Sequence, residues 1–171
     1  MSVQMNPETE TSSEPVRKSV TVKGSVDRAF RLFTDGIDTW WPRDHHIGKS
    51  PMKRVLIEGK RGGRCYTEQV DGTDCDWGSV LQWDPPHSFV LAWQISGSWQ
   101  FQPDLAQSSE VEVRFTPAGE GTTRVDLEHR YFERHGAGAA AMRNAVDSPN
   151  GWSGTLQRYA DAVTTPEGPK P

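Results

Sequence analysis

Apolar residues are scarce in this chain of 171 residues, at 34% of the total. No apolar run approaches the ~20 residues that would cross a bilayer. Cysteine is nearly absent. Cys65 and Cys75 are the two in the chain, and they flank the turn Asp71-Gly72-Thr73-Asp74. If that turn sets Val70 opposite Cys75, Cys65 lies near Val80, too far along the ladder for a disulfide. Two reduced thiols are expected, at a spacing that makes a poor metal site. A basic stripe is also missing. The net charge is −4, and the densest basic run, Lys53 to Arg64, is broken by apolar residues and Glu58. Nucleic acid and anionic membranes are therefore not expected partners. No GxGxxG opens a helix after a strand, no Walker lysine follows His135-Gly136-Ala137-Gly138, and no GxSxG occurs. No cofactor is expected. The opening stretch MSVQMNPETETSSEP has neither a cationic nor an apolar segment of the kind a signal peptide needs, so a cytoplasmic location is expected.

What the chain does have is tryptophan, seven of them. Each buried aromatic removes on the order of 150–250 Å² from water, which offsets the low apolar fraction. Residues 1–14 and 164–171 are polar and read as disordered tails. One folded domain is expected over 15–163. A strand-like run at Val16–Val22 stops at Gly24, and Ser25 is placed to cap a helix over 26–34 on the spacing of Val26, Ala29, Phe30 and Phe33. A short turn of helix follows at Ile37–Trp41. From residue 53 the period changes. Strands are expected at 53–58, 63–70, 75–83, 88–95, 109–116 and 122–131, punctuated by glycine and proline turns and paired antiparallel. The last periodic segment runs from Ala139 to Val163, with Pro149-Asn150-Gly151 kinking or breaking it.

The order β-α-α-β6-α carries a resemblance. The residues are Ala29-Phe30-Arg31-Leu32-Phe33-Thr34, Ile37-Asp38-Thr39-Trp40-Trp41-Pro42, Glu58 with Gly62-Gly63-Arg64, Asp76-Trp77-Gly78 and Trp83-Asp84-Pro85-Pro86. They continue through Leu91-Ala92-Trp93-Gln94-Ile95, Val111-Glu112-Val113-Arg114-Phe115, Leu127-Glu128-His129-Arg130 and Gly151-Trp152. Together they resemble the START-like superfamily, also called SRPBCC or birch-pollen-allergen-like. Within it the match is to the bacterial branch similar to the C-terminal domain of the activator of heat-shock-protein-90 ATPase. The resemblance implies an α+β helix-grip fold: a curved antiparallel sheet wrapped around a long C-terminal helix, with a cavity whose mouth lies near Trp40 and Trp41.

Strand alternation sorts the side chains. Val125, Leu127, His129 and Tyr131 share an inner face, as do Val111, Val113 and Phe115. A hairpin pairing Trp83 with Phe89, Leu81 with Leu91, Ser79 with Trp93 and Trp77 with Ile95 extends that face. Crossing the earlier hairpin adds Val70, Glu68, Tyr66 and Arg64. A bulge would flip part of this assignment. Trp152 and Tyr159 close the face from the helix.

The leading expectation is a binder of a small hydrophobic molecule, lipid, aromatic or polyketide-like, held by those aromatics. Binding is favoured over catalysis. The enzymatic alternative is a cyclase, aromatase or hydrolase using Glu68 and His129 as acid and base, and it requires those two side chains to converge. The third is an interaction module for the chaperone. Eukaryotic activators carry a further N-terminal domain where this chain has a short polar stretch, so chaperone stimulation is not expected to transfer. Monomer and homodimer remain open. His45-His46, after Trp-Trp-Pro, matches no defined zinc spacing with His129 and His135, and an ordinary loop role is expected. No metal site is expected.

Overall fold

The computed structural model describes residues 14–164; the two expected disordered tails lie outside the described residues, apart from Glu14 and Thr164 at their inner ends. Seven strands form one antiparallel sheet: β1 Val16–Lys23, β2 Met52–Ile57, β3 Arg64–Gln69, β4 Asp74–Asp84, β5 Ser88–Trp93, β6 Ser109–Pro117 and β7 Thr122–Arg130. Their order is β1-β7-β6-β5-β4-β3-β2. Neighbours in sequence are neighbours in space, except that β1 closes the sheet against β7. The α+β helix-grip reading therefore holds.

Helix α1 covers Val26–Thr34, and the Ser25 side chain accepts from the Arg28 N–H, satisfying one of its orphan donors. One 3-10 turn follows at Ile37–Thr39. The C-terminal helix is not continuous. It is a pair, α2 Ala139–Asp147 and α3 Gly154–Thr164, separated by a break over Pro149–Ser153. Proline stops the first helix, and Gly151 sets the angle of the second. A Cβ on Gly151 would sit 2.2 Å from the Val146 carbonyl oxygen, so no other residue passes there unmoved. Among the described residues no helix is long and apolar enough to cross a membrane.

Uninterrupted alternation makes β6 and β7 simple. Val111 pairs with His129, Val113 with Leu127 and Phe115 with Val125, all facing inward. Their outer face is a ladder of charge in which Arg130 is bonded to Glu110, Glu112 and Glu128.

Strands β3 and β4 depart from the expected register. The β3–β4 hairpin pairs Glu68 with Asp74 and Thr67 with Cys75, not Val70 with Cys75. The shift is an odd number of residues, and an odd shift turns a strand over. Cys65, Thr67 and Gln69 are buried; Tyr66 and Glu68 face outward, contrary to expectation. Strand β4 carries two irregularities. At one, Trp83 pairs with Phe89 as expected, but Val80, not Leu81, pairs with Leu91. Ser79 is thereby off the inner face, bonded to the Gln94 side chain. At the other, Cys65 pairs with Gly78 and Tyr66 with Asp76, leaving Trp77 as the extra residue. That bulge keeps Trp77 buried while Asp76 turns out to Arg64. Both cysteines are free, and burial pushes the Cys65 thiol well above its ordinary pKa.

Candidate functional site

The aromatic inner face divides into two halves with different fates. At one end, Phe30 stands edge-on to Phe115 at 5.2 Å and Phe33 lies 4.8 Å from Tyr159. Trp40 packs between Phe33 and Tyr159, its indole N–H donating to the Leu32 carbonyl at 2.8 Å. The Tyr159 hydroxyl donates to the Ala29 carbonyl at 2.7 Å, which pins α3 to α1. Trp83, partly buried, stands edge-on to Phe30 at 5.2 Å, and Leu127 is buried in the core. The space beneath most of α3 is thus solid core. Trp40, Trp83, Phe115, Leu127 and Tyr159, all expected to line a cavity, fill it instead.

The other half is hollow. A cavity of about 660 Å³ opens where the helix pair breaks. Five tryptophans wall it: Trp41, Trp77, Trp93, Trp99 and Trp152. The break itself supplies Asn150, Gly151 and Trp152, the start of α3 supplies Thr155, the end of α2 supplies Ala145 and Val146, and the loop after Trp41 supplies Asp44 to Gly48. Trp41 and Trp77 are parallel within 12° at 6.1 Å, and Trp77, Trp93 and Trp152 follow edge to face. Trp41 donates its indole N–H to the His45 carbonyl at 2.8 Å, which holds the loop against the wall. The indole N–H groups of Trp77 and Trp93 are buried and have no hydrogen-bond partner. An unpaired buried donor costs roughly 1–3 kcal/mol.

Trp152 is oriented by a chain of polar groups behind it. Its N–H donates to His129 Nδ1 at 3.0 Å. An indole only donates, so His129 Nδ1 accepts and its proton sits on Nε2. Nε2 then donates to the Ser109 hydroxyl at 2.7 Å, and that hydroxyl donates to His135 Nε2 at 2.7 Å. Burial holds the His129 pKa well below its ordinary value and lowers that of His135 in the same direction.

Both halves of the expected acid–base pair are therefore elsewhere. His129 has both ring nitrogens occupied and is fully buried behind the wall. Glu68 faces outward and is paired with Arg54 at 2.7 and 2.8 Å, which lowers its carboxyl pKa. Strands β6, β5 and β4 lie between them, roughly 19 Å across the sheet at ordinary strand spacing. They do not converge. Tyr66 lies under the Arg64 guanidinium on the outer surface. Tyr131 falls just past the end of β7 with φ +66°, exposed beside Arg134. Glu68→Gln is expected to leave ligand affinity within about twofold of the parent by calorimetry, because the sites are distant and share no partner.

Trp99 is a cavity residue that the sequence reading passed over, and His45, expected to have an ordinary loop role, lies on the same wall. Trp99 is half exposed with φ +62°. A large apolar residue in the polar run Gly97-Ser98-Trp99-Gln100 was the signal available. His45 had no distinguishing spacing.

The sequence matches the family described as Activator of Hsp90 ATPase homolog 1-like protein over residues 23–163. The chain belongs to that family. Solved structures agree. An anthrahydroquino-gamma-pyrone synthase, Txn09 complexed with SUM, is 42% identical, covering 89% of this chain and 99% of its own, with TM-score 0.63. The self-sacrificing resistance protein CalC from Micromonospora echinospora is 32% identical over 93% and 99%, with TM-score 0.67. Protein NE0264 from Nitrosomonas europaea, at 12% identity over 94% and 97% with TM-score 0.61, shares the fold. No curated protein matches. The START-like, SRPBCC classification read from the sequence stands on these matches, and the Activator of Hsp90 ATPase homolog 1-like fold here is the form shared with a small-molecule synthase and a resistance protein.

Proposed function

We propose that this protein binds a flat polycyclic aromatic molecule carrying carbonyl or hydroxyl oxygens, of the aromatic-polyketide kind. One observation carries the reading: five tryptophans surround a single cavity of about 660 Å³. That volume suits one small molecule. Indole faces and edges favour aromatic rings over flexible alkyl chains by roughly 0.5–1.5 kcal/mol per ring pair beyond area burial. The 42% identity to a synthase named for a fused anthrahydroquinone and pyrone supports the same class, and favours ring closure on such a molecule as a second reading.

Calorimetric titration with 1-hydroxyanthraquinone, anthracene and stearate tests it. The quinone is expected to bind in the micromolar range or tighter, ahead of the other two. Trp77→Ala and Trp93→Ala each remove one aromatic wall of the cavity. Each is expected to weaken the quinone and anthracene alike, by about tenfold or more. Stearate binding best, or no binding of the quinone, would refute the reading.

A further inference from the structure

We propose that His45 is the proton-transfer residue of this cavity, acting on a phenolic ligand to close an oxygen heterocycle onto a conjugated carbonyl. The inference rests on the aromatic-ligand reading and adds a reaction to it.

Three cavity-lining side chains can carry a proton: Asp44, His45 and His46. Asp44 extends into solvent, its side chain 89% exposed. His46 Nδ1 faces the Gln69 amide nitrogen at 3.4 Å, and that same nitrogen donates to the Ser50 carbonyl at 2.6 Å. His45 differs from both. Its backbone is anchored by Trp41, and its ring stands edge-on to the Trp41 ring at 6.1 Å. Asp44 Oδ1 is 3.8 Å from Nε2, beyond hydrogen-bond length. No hydrogen bond to either ring nitrogen is found among the described residues. Burial lowers the His45 pKa, Asp44 opposes that effect, and Arg158 from α3 adds to it. The ring is therefore neutral near pH 7, with a lone pair available to a ligand. His129, by contrast, has none to offer.

The step balances without a co-reactant. A His45 ring nitrogen takes the proton of the phenol. The phenolate oxygen bonds to the β-carbon of a conjugated ketone, the carbon–carbon π bond breaks, and its electrons move onto the carbonyl oxygen as an enolate. The imidazolium returns the proton to the α-carbon and the carbonyl re-forms. The product is an isomer of the substrate.

The full chain is mixed with 2′-hydroxychalcone, a flat phenolic enone, and loss of its absorption is followed against buffer. The expected result is acceleration whose rate rises with pH, half-maximal below the ordinary histidine value of about 6.5, then levels. His45→Gln is expected to lower turnover about 100-fold or more, with 1-hydroxyanthraquinone affinity and thermal midpoint held. His45→Ala is expected to regain rate with added imidazole. Parent-level turnover in His45→Gln overturns the proposal. So does a parent protein that binds the quinone but gives no acceleration. A protein that binds no quinone at all fails the binding reading first, and this inference with it.

Discussion

His129→Ala is expected to cost roughly 4 kcal/mol of folding free energy, read as a lowered urea midpoint. Removing a fully buried ring typically costs about 3–5 kcal/mol. Here the ring also links Trp152 to Ser109. Its loss leaves the Trp152 N–H and one side of a buried hydroxyl unpaired, each penalised by about 1–3 kcal/mol when nothing replaces the partner. The pH dependence follows in sign. Unfolded histidine titrates near 6.5, whereas the folded pKa of His129 is far lower. Between those two values the unfolded chain binds more protons, so stability is full above about pH 6.5 and falls as pH drops below it, by up to about 1.4 kcal/mol per unit per histidine. His45 and His135 are shifted the same way and add to the slope. Urea titrations at pH 7.5 and 5.5 should show a smaller loss in His129→Ala than in the parent. An equal loss would mean that His129 is not held neutral by the fold.

Ala145→Trp is expected to abolish most ligand binding without unfolding the protein. Ala145 lies in α2, lines the cavity and is only half-buried, so an indole there extends into open volume. A tricyclic ligand denied about 110 Å² of apolar contact loses roughly 2.7 kcal/mol, or a factor of about 100 in affinity. The thermal midpoint should hold, since the new ring fills space and displaces no core side chain. Titration with 1-hydroxyanthraquinone decides. Parent-like affinity in Ala145→Trp would place the ligand somewhere other than the tryptophan cavity.

Much of the architecture was written locally. Helix α1 was legible because Ser25 caps it and its apolar spacing is unbroken. The inner face of β6 and β7 was legible because charged and apolar residues alternate without interruption, and only one face can be hydrated. The break at Pro149–Gly151 was legible from residue type. Strands β3 and β4 were not. Their faces hang on one tight turn and on bulges at Trp77 and near Leu81, and a single extra residue reverses everything beyond it. Glu68 looked like a polar group inside the grip for that reason alone. Tyr131 misled differently, since β7 ends one residue before it.

The sequence by itself determined the family, the element order and the wealth of tryptophan. Those are properties of spacing and residue type, which one chain carries in full. Only the tertiary structure decided which tryptophans pack and which enclose space. Trp83 sits on a strand of the sheet as Trp77 and Trp93 do, and Trp40 adjoins Trp41 in one short turn, yet their fates differ. Their difference arises where α3 descends onto the sheet: Tyr159 and Leu156 fill one end, whereas the broken helix stands off the other. That stand-off leaves the cavity, brings His45 to its wall, and consigns His129 to holding Trp152 in place.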